Sequence, residues 1–199
     1  MQNLYSLFLR ALLAFSIAVG APAALAGPMY RVSVDTSAFA GSTGFLDLGF
    51  NGGDSADAIA RITNFNGAFL SDVMYLGSAS GDAAGGVILG NSEGQNFFDQ
   101  AVTFGGLFSF DVSFENSNDV FGTRFSVALF NDAMDAYLGA NGSLFTIDLE
   151  PGQADALIVN APGVAQVAQI AEVPEPGEWL LLATGLLLIV ATRRMQQRG

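Results

Sequence analysis

The sequence predicts an all-β fold, an antiparallel β-sandwich of two sheets in jelly-roll or Greek-key order. Three observations predict it. Apolar and polar residues alternate at period two in several short segments, Asn-Gly pairs and glycine clusters separate these segments, and residues 27–160 show no long amphipathic helix pattern. Each strand should therefore bury one face and expose the other.

Five segments carry the alternation. The clearest is Phe108 to Phe114, in which aromatic residues or valine alternate with serine or aspartate. The others are Tyr30 to Thr36, Leu46 to Leu48, Arg124 to Phe130 and Phe145 to Leu149. These segments predict half-buried strands of an antiparallel sheet.

Turn signals lie between the strands. Asn51-Gly52, Asn66-Gly67 and Asn141-Gly142 suit the positive φ angles of tight turns. Four glycines between Gly81 and Gly90 predict a mobile loop, and Asn131 to Leu138 predicts one short helix.

The first 26 residues have the order of a secretory signal peptide. Arg10 precedes an apolar stretch from Ala11 to Val19, and Ala24 and Ala26 supply the small side chains expected before signal-peptidase cleavage. The mature chain is therefore expected to begin at Gly27, with the β-sandwich over residues 27–160 and a linker or edge strand over residues 161–172.

Residues 173–199 form a second distinctive segment. Val173-Pro174-Glu175-Pro176 precedes an apolar run that ends before Arg193 and Arg194. A helix over residues 177–192 would span roughly 24 Å at about 1.5 Å per residue, close to the roughly 30 Å hydrocarbon core. Arginines after the helix favour a cytoplasmic end, so a single transmembrane helix with the domain outside the cytoplasm is expected.

The order of Pro-Glu-Pro motif, short membrane helix and arginine cluster resembles the PEP-CTERM sorting signal of Gram-negative bacteria. The resemblance implies that an exosortase, a membrane-embedded cysteine transpeptidase, recognises Val173 to Pro176 with Arg193 and Arg194 and cuts the chain. The inner membrane would then hold the protein only before processing. The segments Tyr30 to Ser37 and Gly44 to Asn51 also resemble a family of exported proteins with this tail, to which no reaction is assigned.

Charge and composition exclude several function classes. Residues 27–172 contain three arginines and 17 acidic residues, a net charge of −14, and such a surface repels nucleic acid. The chain contains no histidine and no cysteine. A Ser-His-Asp or Cys-His catalytic site, a disulfide and an ordinary zinc site are therefore excluded.

Carboxylate chemistry is compatible with this composition. A glycosidase needs two carboxyl groups, and Glu93, Asp111 and Glu115 are the candidates, although Asp111 also fits the solvent side of its strand. The sequence predicts no cofactor, although the loops could hold calcium, which prefers oxygen ligands. The candidate calcium ligands are Asp54, Asp57, Asp119, Asp132 and Asp135, without EF-hand spacing.

These observations favour an exported, non-enzymatic protein of the cell surface or extracellular matrix. Its expected partners are signal peptidase and exosortase during export and an exopolysaccharide afterwards. The alternative is a calcium-dependent carbohydrate-binding module, for which Tyr75 and Tyr137 are possible stacking residues, and the third interpretation is a carboxylate glycosidase.

Overall fold

The computed structural model describes residues 28–52, 57–92, 94–115, 122–150 and 154–170, together with Gly185. Within these ranges the chain forms two antiparallel sheets and a 3₁₀ turn at Ser37–Phe39, which confirms the all-β prediction. Among the described residues no helix has the length and apolar character needed to cross a membrane. The predicted signal peptide of residues 1–26, Gly27, and, apart from Gly185, the predicted sorting motif and membrane helix in residues 173–199 fall outside the described residues.

Six strands form the sheet that we call the β1 sheet. They are β1 (Met29–Asp35), β3 (Ile59–Asn66), β5 (Ala79–Asp82), β6 (Gly86–Gly90), β8 (Leu107–Glu115) and β12 (Ala165–Ile170), in the order β12-β1-β8-β3-β6-β5.

Six further strands form the β2 sheet. They are β2 (Thr43–Asn51), β4 (Phe69–Leu76), β7 (Phe97–Thr103), β9 (Thr123–Asn131), β10 (Phe145–Leu149) and β11 (Ala156–Val159), in the order β11-β10-β9-β2-β7-β4. The first four strands of the chain therefore alternate between the two sheets.

Aromatic residues of the two inner faces pack against each other. Phe50 of β2 lies 5.8 Å from Phe114 of β8 between ring centroids, and Phe114 lies 5.7 Å from Phe125 of β9. All three side chains are buried. The period-two pattern thus places one face of each central strand in a shared core, as the sequence predicts.

The segment Asn131 to Leu138 is a closed loop, so the helix prediction is wrong there. The Asn131 side chain accepts hydrogen bonds from the backbone N–H of Asp135 (3.1 Å) and Ala136 (3.2 Å), and it donates one to the Asp135 carboxylate. Met134 has a φ of 55°, which is incompatible with a continuing right-handed helix. Local side-chain bonding by asparagine therefore replaces the helix.

The glycine-rich segment from Gly81 to Gly90 is a hairpin rather than a mobile loop. β5 and β6 pair from Ala79 opposite Leu89 to Asp82 opposite Gly86. Gly86 has a φ of 94°, and the backbone N–H of Gly85 donates to the Asp82 carboxylate. The glycines provide the backbone conformation of a tight turn. The prediction of a mobile loop from the same glycines is therefore wrong.

The first and last strands lie side by side. Met29 of β1 is opposite Ile170 of β12, and Val34 is opposite Ala165. The two alternatives for residues 161–172 are a linker and an edge strand. The structure contains an edge strand over Ala165–Ile170. Both ends of the described domain therefore leave from the same corner.

Candidate functional site

The candidate calcium ligands do not converge in the part of the chain that is described. Asp57 precedes β3 at the end of the sandwich where Met29 and Ile170 lie, whereas Asp132 and Asp135 follow β9 at the opposite end. Asp132 accepts a hydrogen bond from the Thr43 hydroxyl (3.0 Å). The described ranges contain no group of three or more acidic residues arranged to hold a metal ion, and Asp54 and Asp119 lie outside those ranges.

The candidate glycosidase carboxylates are engaged by arginines. Asp111 receives two hydrogen bonds of 2.9 Å from Arg31 and one of 2.8 Å from the Asn64 amide. These bonds, above all those from Arg31, hold the pKa of Asp111 below its usual range. Glu115 lies 2.6 Å from the Arg61 Nε, and Glu93 is outside the described residues.

Asp111 is also more buried than the period-two pattern implies. It lies on the outer face of the β1 sheet, yet its side chain is only 4% exposed because Arg31 and Asn64 enclose it. Asp111 thus lies on the solvent side of its strand, as the alternation predicts, but Arg31 and Asn64 cover its carboxylate. A long cationic side chain on the neighbouring strand converts an exposed position into a buried one.

The carboxyl groups that do come together are Asp47 and Asp99. Asp47 lies in the middle of β2, directly opposite Asp99 of β7. Asp47 is 8% exposed, and Asp99 is partly buried. Like charges directly opposite each other destabilise a sheet, so this pair needs a physical explanation.

Small and aromatic residues surround the pair on the outer face of the β2 sheet. Ala128 of β9 lies opposite Asp47 on its other side and is 2% exposed. Two residues along β2, Gly49 leaves room for the Phe97 ring, since an added Cβ would lie 2.7 Å from Phe97 Cε1. On the far side of Asp99, Met74 of β4 occupies the next position in the row.

A shared proton explains how two carboxyl groups tolerate this position. Burial and the neighbouring Asp99 carboxyl raise the pKa of Asp47 to about 8. Burial also raises the pKa of Asp99, while the hydrogen bond from Asp47 acts in the opposite direction. Asp99 Oδ1 is buried and has no hydrogen-bond partner among the described residues, and the opposed Asp47 could donate to it only when Asp47 is protonated.

This geometry differs from that of a glycosidase. Two opposed carboxyl groups that share a proton must lie closer together than the roughly 5–10 Å that leaves room for a sugar or a water molecule. The pair can instead hold one proton between two strands.

Sequence reasoning missed this pair because Asp47 and Asp99 are 52 positions apart, and only the strand register brings them together. The alternation in Leu46-Asp47-Leu48 predicts a half-buried strand and nothing about a partner for Asp47. A weak signal existed, since Asp99 interrupts the run Phe97 to Val102, in which it is the one charged residue.

A half-exposed aromatic residue lies on the β2 sheet side of the domain. The Tyr137 ring lies 4.5 Å from the Phe130 ring between centroids, and Tyr137 is 51% exposed. Tyr75 of β4 is 47% exposed, but its ring packs on Phe98 and its hydroxyl donates to the Gly81 carbonyl. Tyr137 is therefore the more accessible of the two predicted stacking residues.

A shallow cavity of about 190 Å³ lies on the other sheet, near the end of β1. It is lined by Ser33, Asp35, Leu107, Gly163, Val164 and Gln166. The Asp35 carboxylate accepts a hydrogen bond from the backbone N–H of Ser37, which holds the pKa of Asp35 below its usual range. This carboxylate is thus already part of a local turn.

Comparison of the chain with protein-family models, with curated proteins and with solved structures finds no match in any of the three. The predicted sorting motif and the predicted cleavage site lie outside the described residues; they comprise Val173, Pro174, Glu175, Pro176, Arg193 and Arg194, and Ala24, Ala26 and Gly27.

Proposed function

We propose that this chain is an exported, non-enzymatic protein of the cell surface or extracellular matrix, released from the inner membrane by an exosortase. The observation that carries the proposal is the order of elements in residues 173–199: Pro-Glu-Pro motif, apolar run, arginine cluster. The small residues Ala24 and Ala26 after an apolar stretch support export from the other end.

The described domain is compatible with this role. Its ends are adjacent, with Met29 opposite Ile170, so a membrane tether would hold the domain by one corner. We further propose a jelly-roll assignment, because eight of the eleven links between successive strands cross from one sheet to the other. A buried aromatic core provides stability without disulfides.

The sorting proposal is tested by intact mass and fractionation of the protein from cells with and without their exosortase. We expect a chain that starts at Gly27, lacks the residues after the motif and is found outside the cell when the exosortase is present. The variant Glu175→Ala should remain in the membrane. Glu178→Ala is the matched control, since it removes the same charge just outside the motif. Retention of residues 177–199 in both strains would contradict the proposal.

A second candidate function is binding of a neutral exopolysaccharide at Tyr137. The half-exposed Tyr137 ring, supported by Phe130, favours it because sugars pack on aromatic faces and an acidic domain repels anionic polymers. Isothermal titration with the host polysaccharide, in calcium and in chelator, tests it. Tyr137→Ala should abolish the heat of binding, whereas Leu107→Ala, an exposed apolar position on the other sheet, should not. Loss of binding in chelator would support the calcium-dependent form.

A further inference from the structure

The Asp47–Asp99 pair lies between β2 and β7 of the β2 sheet. β2 pairs with β9 on one side and with β7 on the other, and β7 carries β4 as the last strand. β4 is tied to β7 by the Gln100 amide, which donates to the carbonyls of Leu70 (2.7 Å) and Asp72 (3.3 Å). β7 and β4 therefore form one flank, joined to the rest of the sheet along the row that contains the two carboxyl groups.

No cation faces the pair from the neighbouring described strands. The adjacent outer-face positions are Phe45 and Gly49 on β2, Phe97 and Ala101 on β7, Ser126, Ala128 and Phe130 on β9, and Met74 and Leu76 on β4. None of these side chains can carry a charge.

The nearest charged groups on the same strands do not neutralise the pair either. Asp72 of β4 is exposed and acidic. Arg124 of β9 lies opposite Asn51, four residues or about 13 Å along β2 from Asp47, and it is paired with Asp148 of β10. Asp132, bonded to Thr43, lies a similar distance away in the other direction. Ionisation of both carboxyl groups would therefore leave two negative charges facing each other without compensation.

We propose that Asp47 and Asp99 form a proton-controlled clasp, which joins β2 to the β7–β4 flank while one proton is shared and loosens that flank when the proton is lost. In the closed form, Asp47 donates its carboxyl hydrogen to Asp99. In the open form, repulsion between the carboxylates separates the strands at this row and admits water to the outer face.

The direction of the pH dependence follows from the folded and unfolded states. In the unfolded chain Asp47 loses its proton near pH 4, whereas burial beside Asp99 keeps the proton on Asp47 to about pH 8 in the folded chain. Between these values the folded state binds more protons than the unfolded state. The contribution of the pair to stability is therefore fully present below about pH 4 and is lost as pH rises towards 8, by up to about tenfold per pH unit in the folding equilibrium constant.

Hydrogen exchange of the full-length chain at a series of pH values tests the clasp. Protection factors, which correct for the intrinsic pH dependence of exchange, should fall more steeply between pH 5 and 9 in β7 and β4 than in β10 and β11 of the same sheet. In Asp47→Asn the amide donates to Asp99 without titrating, so the β7 and β4 protection should become independent of pH. Equal pH profiles for wild type and Asp47→Asn would overturn the proposal.

Two further measurements keep the test decisive. Asp148→Asn is the matched control, because it changes an aspartate of the same sheet that is paired with Arg124, and it should retain the wild-type pH response in β7 and β4. If Asp47→Asn fails to fold, carboxyl carbon NMR of the wild type decides the question. The clasp predicts one carboxyl of the pair titrating above pH 6, and two ordinary titrations below pH 5 would refute it.

Discussion

Identical side chains take opposite electrostatic roles on the two outer faces. Asp111 has Arg31 and Asn64 as donors, so its charge is stabilised and its pKa is lowered. Asp47 has another carboxyl as its partner, so its charge is destabilised and its pKa is raised. The neighbour on the adjacent strand, rather than the residue type, decides which protonation state the fold selects.

At Gly49 the outer face of the β2 sheet is too closely packed for a larger side chain. An added Cβ would lie 2.7 Å from both Phe97 Cε1 and Ser126 Oγ, so Gly49→Ala should displace the Phe97 ring. We expect a loss of about 1–3 kcal/mol in the free energy of unfolding, measured by urea denaturation.

Gly106→Ala is the control for this substitution, because an added Cβ at Gly106 meets no heavy atom within 4 Å. It should change stability by less than about 0.5 kcal/mol. Equal effects of the two substitutions would show that the contact with Phe97 is not the cause of the loss at Gly49, since the entropy change of a Gly-to-Ala substitution by itself favours folding.

Among the elements, the loop after β9 depends on Asn131 more than on its own apolar residues. The Asn131 side chain makes three hydrogen bonds to Asp135 and Ala136, and these bonds position the strand-like contact between Phe130 and Tyr137. Asn131→Ala should lower the free energy of unfolding by about 1–2 kcal/mol in thermal or urea denaturation.

Asn131→Asp keeps the acceptor for the two backbone N–H groups and should recover part of that loss. The same variants offer a local readout, since the Phe130–Tyr137 ring contact should weaken in Asn131→Ala and shift the Tyr137 ring resonances. An unchanged Tyr137 spectrum would mean that the loop holds its shape without the asparagine.

At this scale the sequence predicts central strands better than edges. The alternation in Phe108 to Phe114 predicts β8 almost to its ends, because inner positions meet the core and outer positions do not. β4 gives no such signal, since Leu70, Met74, Tyr75 and Leu76 are all about half exposed. β4 is held by hydrogen bonds to the backbone of its neighbour and by the Gln100 amide. Neither interaction requires alternating apolar residues in the sequence of β4.

The candidate site was less predictable than the fold for a related reason. Residue type alone identifies the candidate carboxylates Glu93, Asp111 and Glu115. The pairing of Asp47 with Asp99, in contrast, depends on the register between two strands that are far apart in the chain. The ion pairs of Asp111 and Glu115 likewise need the positions of Arg31 and Arg61 on neighbouring strands.

For the whole molecule, the stability of the β1 sheet depends on its last strand, β12. β12 covers the free edge of β1, and Ala165 is 1% exposed in the core. A chain that ends at Pro162 should therefore lose about 3 kcal/mol or more of stability, because it loses the β1–β12 hydrogen bonds and a buried side chain.

A chain that ends at Ile170 is the control and should unfold as cooperatively as one that carries the remaining residues. Circular dichroism melts of the two truncated chains measure the difference. Equal midpoints would show that β12 is a passive addition to a sheet already complete with β1 at its edge.

The pairing of the first strand with late strands has a consequence for the order of events during synthesis. Arg31 and its partner Asp111 are 80 residues apart, and Met29 meets Ile170 only after nearly the whole domain has been made. Because non-local pairing must wait for its partner and closes slowly, the emerging chain has few stable local structures to form. If the chain is exported as we propose, its slow closure would help to keep it extended until it reaches a channel that passes only unfolded polypeptide.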